Sequence, residues 1–188
     1  MSGPMMRQQL SLTTERLELR PFTLRDATRV RTLAGDERIY RTTAGTLHPY
    51  GPGMAERWIA SHQTIFYEER GIVYAICLKN AELIGAIDLR LSPEGNCAEL
   101  GFWIGRGYWN RGYCTEAARA MIAYGFGVLK CDKISARHLV GNLASGRVLE
   151  KIGMKRERLL PDEMKKPEQA CSVLIYSLNA PAFKENSQ

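Results

Sequence analysis

Along the chain, stretches where hydrophobic residues alternate with polar ones are separated by stretches where they recur every three or four positions. Leu17, Glu18, Leu19 and Arg20 alternate up to Pro21, which predicts a half-buried first strand. A helix follows: Thr23 caps it with Asp26 three residues later, and Ala27, Val30, Leu33 and Ala34 form its apolar face. Residues 45–53, with two prolines, three glycines and His48, read as a loop. Met54, Trp58, Ile59, His62, Ile65 and Phe66 recur at helical spacing to about Arg70, with His62 a packing residue. Val73–Leu78 and Leu83–Leu91 are predicted strands joined by a hairpin at Lys79–Glu82, and Cys97–Ile104 is a third. Thr115–Leu129 then forms a helix with Ala118, Met121, Ile122 and Phe126 on one face. Ile134–Val140 is a strand, Leu143–Ile152 a helix and Ser172–Leu178 a last strand. Strands first, then strand, helix, strand, helix, strand, predicts an α/β or α+β layer fold around a mixed sheet.

Length and composition keep that picture to one unit. With 188 residues, 45% hydrophobic and 24% charged, the chain is sized for a single domain with its own core. Residues 11–180 are assigned to it, with flexible tails at 1–10 and 181–188. No apolar run is long enough to span a bilayer and the start lacks a signal pattern, so a soluble, cytoplasmic protein without membrane partners is expected, as a monomer or homodimer. Five scattered cysteines, an odd number with no CxxC pair, predict buried free thiols and no metal site.

The net charge of +6 is unevenly placed. Between Lys130 and Arg158 eight basic residues face only Asp132, Glu150 and Glu157. Such a segment attracts a polyanion. It carries no aromatic interleaving and no recognisable nucleic-acid signature, so direct nucleic-acid binding is not expected. A phosphorylated cofactor fits at least as well, and a solvated basic face without a ligand stays open.

Ala98-Glu-Leu-Gly-Phe-Trp-Ile-Gly-Arg-Gly-Tyr-Trp-Asn-Arg-Gly-Tyr-Cys-Thr-Glu-Ala117 reads as a strand, a glycine-rich turn and a helix start. That junction aims free backbone N–H groups at one spot where the helix dipole is positive, which suits a pyrophosphate. Gly112 allows close approach, Asn110 tolerates a left-handed conformation and the Thr115 hydroxyl adds a donor. An ordinary strand-to-helix turn has the same glycine content.

The whole stretch resembles the cofactor motif of GNAT N-acetyltransferases, in particular their RimJ/RimL-like branch. Asn142-Leu-Ala-Ser-Gly-Arg-Val-Leu-Glu-Lys-Ile-Gly-Met154 resembles that branch's second cofactor motif, and Thr14-Glu-Arg-Leu-Glu-Leu-Arg-Pro-Phe22 its opening strand. The resemblance implies a GNAT-like fold, a single-domain splayed mixed sheet flanked by helices. It implies acetyl-CoA as acetyl donor, no metal, and direct attack by an amine. The strand holding Glu99 would part from the strand holding Ile134 to admit the pantetheine arm. Backbone groups near Phe102, Trp103 and Ile104 would pair with that arm, while Asn110, Arg111, Gly112, Tyr113, Cys114 and Thr115 cradle the pyrophosphate and Asn142 also touches the cofactor. The loop departs from the family pattern in carrying Gly107 and Asn110 at two marked positions. Cys114 stands where alanine is frequent, a point of expected sensitivity to thiol reagents.

Acetyl transfer needs a neutral amine and a proton for the departing thiolate. Glu99, a carboxylate in the middle of a predicted buried strand, is a candidate base or ammonium ligand, and equally a partner for an arginine. Many superfamily members carry a tyrosine acid at the position of Leu149, where leucine cannot serve. In the RimJ/RimL-like branch a serine at the position of Ser145 is implied as the donor to sulfur. The implied acceptor is a protein N-terminal α-amine, ribosomal in the branch the chain resembles. A small amine, amino acid or antibiotic remains open, as do a non-catalytic acyl-CoA-binding module and a basic ribosome-binding domain.

Overall fold

The structure is a computed structural model that describes residues 8–43, 50–93, 96–166 and 169–185. Eight strands form one sheet: β1 (Leu12–Thr13), β2 (Leu17–Arg20), β3 (Gly71–Leu78), β4 (Leu83–Leu91), β5 (Cys97–Ile104), β6 (Lys133–Leu139), β7 (Lys155–Lys166) and β8 (Gln169–Asn179). Their order is β1-β2-β3-β4-β5-β6-β8-β7. Every pairing is antiparallel except β5 with β6. Among the described residues six helices accompany them: α1 (Ala27–Ala34), α2 (Glu37–Thr42), α3 (Met54–Tyr67), α4 (Tyr113–Gly127), α5 (Leu143–Lys151) and α6 (Ala180–Glu185).

The sheet is covered on both sides, which explains why β3 reads as a nearly unbroken apolar run. Its Ile72, Tyr74 and Ile76 join the core beneath α4, with Leu89, Leu100, Met121 and Ile134. Ala75 and Cys77 face the other way, onto Ala27 and Val30 of α1 and Ala55 and Ile59 of α3. α4 lies so close that a Cβ on Gly125 would come within 2.6 Å of Ile134 Cδ1.

The single parallel pairing shapes everything downstream. β5 and β6 are paired only from Cys97↔Lys133 to Leu100↔Ala136. Beyond that point β5 stays with β4 as far as Ile104, and β6 stays with β8 as far as Leu139. The two strands therefore splay, as the resemblance implied.

Several elements differ from the sequence reading. The helix from Met54 ends at Tyr67, and α4 begins at Tyr113, two residues early. α2 and β7 were not predicted. Asp36 starts α2 by accepting the Arg38 N–H at 2.8 Å. β7 is an edge strand of exposed charges, such as Lys155, Arg156 and Arg158, whose pattern shows no buried face. Residues assigned to the tails take part in the fold. Gln9 Nε2 donates to the Val73 carbonyl at 2.8 Å, Tyr74 Oη donates to that of Leu10 at 2.7 Å, and Phe183 of α6 lies 5.2 Å from the Phe126 ring. Residues 1–7 and 186–188, and His48 in its loop, lie outside the described residues. No helix among the described residues is long and apolar enough to cross a membrane.

Candidate active site

Below the splay the chain leaves β5, makes a short 3-10 turn at Arg106–Tyr108 and enters α4. Trp109 Nε1 donates to the Ile104 carbonyl at 2.6 Å, folding the loop back on the strand end. Asn110 (φ 59) and Gly112 (φ 78) are both left-handed, as anticipated for Asn110, with Arg111 between them. The first helical bond into α4 runs from the Glu116 N–H to the Gly112 carbonyl at 3.0 Å. The preceding N–H groups of Tyr113, Cys114 and Thr115 are the orphan donors of a helix start. They face a cavity of about 290 Å³ lined also by Phe102, Trp109, Asn142, Arg147 and Lys151.

The loop is fixed from behind by Arg16. Its Nη1 donates to the Arg111 carbonyl at 2.9 Å, its Nε to Glu116 Oε2 at 2.7 Å, and its guanidinium lies 4.8 Å from the Tyr113 ring centroid. Glu116 also accepts from the Thr14 hydroxyl at 2.6 Å and from the Arg16 N–H at 2.8 Å. Burial works to raise the Glu116 carboxyl, but these donors outweigh it and hold the group below its ordinary value. Arg111 thus serves the loop through its carbonyl, and its side chain is not part of the cavity wall.

Along β5 the backbone alternates in direction. The Gly105 N–H reaches back to the Ile84 carbonyl on the β4 side, whereas the Ala98 carbonyl takes the Ser135 hydroxyl on the β6 side. By the same alternation both backbone groups of Phe102 and the Ile104 N–H face the splay. Those of Trp103 turn toward β4, so of the three residues named for pantetheine pairing Trp103 supplies only its side chain. Its indole lies 6.5 Å from that of Trp58.

Ser145 stands where the smaller cavity meets a larger one of about 880 Å³, since both are lined by Thr42, Thr43, Phe102, Trp103 and Ser145. Its neighbour Asn142 caps α5: Oδ1 accepts the Ser145 N–H at 3.2 Å. That fixes the amide orientation, and Nδ2 donates to the Thr42 carbonyl at 2.9 Å and to Ser145 Oγ at 2.8 Å. Ser145 Oγ therefore accepts from Asn142, and its own proton is free to be donated at the junction. Leu149, fully buried, packs in the core. α5 packs closely beside the site at Gly146, where a Cβ would approach His138 Nε2 to 3.0 Å.

The larger cavity lies on the α3 side of the sheet. Its floor carries Asp88 and Arg90 of β4, Glu99 of β5 and Arg137 of β6, and its wall Trp58 and His62. Glu99 is not sealed inside a strand as the sequence suggested. It is half-buried at the cavity and accepts from Arg137 Nε at 3.0 Å. Asp88 sits deeper, over Gly101, where a Cβ would collide with its carboxylate. Arg90 Nε donates to Asp88 Oδ2 at 2.9 Å. Burial, with repulsion from Glu99, raises the Asp88 carboxyl above its ordinary value despite Arg90.

Sequence reasoning passed over Asp88, although a carboxylate inside the apolar run of β4 was the available signal. His62 is a packing residue as read, 6% exposed, edge-on to Trp58 at 4.4 Å and Phe22 at 5.2 Å. Neither of its ring nitrogens has a partner among the described residues, and burial lowers its pKa to about 4. Cys114 is half-buried at the smaller cavity, and burial pushes its thiol up to about 12, which works against the reactive thiolate that a thiol reagent needs. Of the five cysteines only Cys77 and Cys131 are buried, and all are free thiols. No cluster of three or more His, Cys, Asp or Glu side chains suited to a metal occurs among the described residues.

Comparison with known proteins agrees with this geometry. A family profile described as an acetyltransferase (GNAT) domain matches residues 16–155. The uncharacterised N-acetyltransferase YoaA of Bacillus subtilis is 29% identical over 172 residues, 90% of this chain and 97% of that one. Among solved structures, a GNAT-family acetyltransferase from Bacillus anthracis superposes with a TM-score of 0.81 at 23% identity, covering 92% of this chain and 99% of the other. The ribosomal-protein-S5-alanine acetyltransferase from Vibrio fischeri gives 0.81 at 15% identity, over 92% and 97%. The profile spans the splay, the α4 loop and the Asn142–Ser145 cap, and so this chain belongs to the GNAT acetyltransferase family and is an acetyl-CoA-dependent N-acetyltransferase.

Proposed function

We propose that the acceptor is an α-amine at a protein N-terminus, acetylated by direct attack in a ternary complex. The observation that carries this reading is the junction at Ser145, with the α4 cradle on one side and the Asp88–Glu99 floor on the other. Acetyl-CoA suits the first side: the orphan N–H groups of α4 and the left-handed pair at Asn110 and Gly112 meet the pyrophosphate, and the free edge of Phe102 meets the pantetheine.

On the second side the amine nitrogen attacks the thioester carbonyl, forming the C–N bond as the C–S bond breaks. Asp88, directly or through water, takes the amine proton, Glu99 steadies the ammonium form on arrival, and the Ser145 hydroxyl donates to the departing sulfur. An α-amine is the acceptor such a site handles most easily. With a pKa near ~8 it is roughly a tenth neutral at pH 7, whereas a lysine near ~10.4 is neutral to a few parts in ten thousand, a difference of about 3 kcal/mol. The name of the Vibrio fischeri neighbour, a ribosomal-protein acetyltransferase, points the same way.

The test is acetylation of a peptide that carries both an N-terminal α-amine and an internal lysine, with the site read by fragment mass spectrometry. Acetyl on the α-amine is expected. Exclusive acetylation of the lysine, or of a polyamine competitor, overturns the reading.

A further inference from the structure

We propose that the acceptor carries a carboxylate a short distance from its amine, and that the terminal guanidinium nitrogens of Arg90 and Arg137 bind it. This deepens the reading of the larger cavity as the acceptor site and rests on it.

Both arginines line that cavity, and each is held by one bond through one nitrogen. Arg90 Nε donates to Asp88 at 2.9 Å and Arg137 Nε donates to Glu99 at 3.0 Å. Bonding at Nε orients each guanidinium while leaving Nη1 and Nη2 without a hydrogen-bond partner among the described residues. Two parallel N–H groups on one planar group are the arrangement that binds a carboxylate with two bonds. The two carboxylates behind them compensate the positive charge, so the pair does not act as a general anion trap. It answers to an anion held in the right place.

That place follows from strand register. Asp88 lies opposite Gly101, where β5 begins to splay from β6, and Arg90 lies opposite Glu99, two residues farther from the junction. Two residues along a strand separate these positions by roughly 7 Å. Exposure is graded in the same direction, with the Asp88 side chain at 16% and that of Arg90 at 67%. An amine held between Asp88 and Ser145, which line the same cavity, thus trails the rest of its molecule past Arg90 toward solvent, with Arg137 alongside on β6. An acidic residue directly after the N-terminal one of a peptide places its carboxylate there, and so does the far end of an ω-amino acid.

The experiment uses the full chain and measures free CoA thiol released with two matched pairs of acceptors. One pair is a C-terminally amidated peptide beginning Ser-Asp and its Ser-Asn counterpart. The other is 6-aminohexanoate and its amide. The acidic member of each pair should show a kcat/KM about tenfold or more above its amide, and Arg90→Gln with Arg137→Gln should bring that ratio to about one. Arg90→Lys with Arg137→Lys, which keeps the charge and loses the fork, should fall between, and acetyl-CoA affinity checks that each variant is folded. If the acidic and amide members turn over alike in the parent enzyme, the inference is overturned while the N-terminus reading stands on the peptide pair. If only the small-molecule pair is acetylated and its ratio is high, the N-terminus reading fails and the inference holds. If neither pair is acetylated, both are overturned.

Discussion

Arg16 lines neither cavity, yet replacing it with alanine should weaken acetyl-CoA binding selectively at the pyrophosphate. The guanidinium ties the Arg111 carbonyl, the Glu116 carboxylate and the Tyr113 ring into one unit, so the left-handed pair at Asn110 and Gly112 is shaped before any ligand arrives. An ion pair with one member 44% exposed contributes about 0.2–1 kcal/mol, and an exposed cation–π contact about 0.5–1 kcal/mol. Only the part of that network felt differently by the free and occupied loop reaches the affinity. A rise in Kd of roughly threefold to tenfold, or about 0.7–1.4 kcal/mol, is the expected size. Stability should suffer little, because Glu116 keeps the Thr14 hydroxyl and the backbone N–H of residue 16. The decisive comparison is between acetyl-CoA and acetyl-pantetheine, which lacks the pyrophosphate. Arg16→Ala should lower kcat/KM for the first and leave the second near its parent value. Equal losses with both donors would show that Arg16 supports the fold at large and that the loop does not depend on it.

Other expectations follow from the site. Ser145→Ala should lower kcat about tenfold to a hundredfold, roughly 1.4–2.7 kcal/mol, with acetyl-CoA affinity nearly unchanged, because its hydrogen bond strengthens only as charge develops on sulfur; parent-like turnover with chemistry rate-limiting would reduce Ser145 to a helix residue. Asp88→Asn should cost kcat about a hundredfold in the same assay, within the range of general-base catalysis. His62 is held neutral with its pKa lowered to about 4, below the unfolded value near 6.5, so it withdraws stability as pH falls through that window. His62→Phe should therefore melt less pH-dependently between pH 6.5 and 4 than the parent, and an identical pH profile would refute the assignment. Cys114, with its thiol pushed up to about 12, should be alkylated by iodoacetamide at pH 7.5 at least a hundredfold more slowly than a free cysteine, as peptide mass spectrometry would show.

What could be read from the sequence and what could not divide along a physical line. β4 and β5 agree residue for residue with their prediction because alternation, length and flanking turns all act locally. The proposed acetyl-CoA side carries its signal in the sequence for the same reason: its candidate donors are backbone N–H groups of one continuous strand–turn–helix, and the left-handed pair at Asn110 and Gly112 is written in residues two apart. Even there the Arg16 tether was invisible, since it spans 95 residues to Arg111. The larger cavity is built entirely in that second manner. Its wall comes from α3 and its floor from β4, β5 and β6, and only the fold puts Asp88 beside Gly101 and Arg137 beside Glu99. Glu99 drew notice as a carboxylate in an apolar strand, but Asp88 carries the same signal. Nothing in the period-2 pattern says that Gly101 opens room for its carboxylate or that the opposite arginines are anchored through Nε. Backbone-built subsites leave their signature in consecutive residues, and a pocket assembled from side chains of distant strands leaves only isolated charges. That is why the donor substrate of this enzyme follows from its sequence, while the proposed class of its acceptor rests on Arg90 and Arg137, which only the fold brings to one cavity.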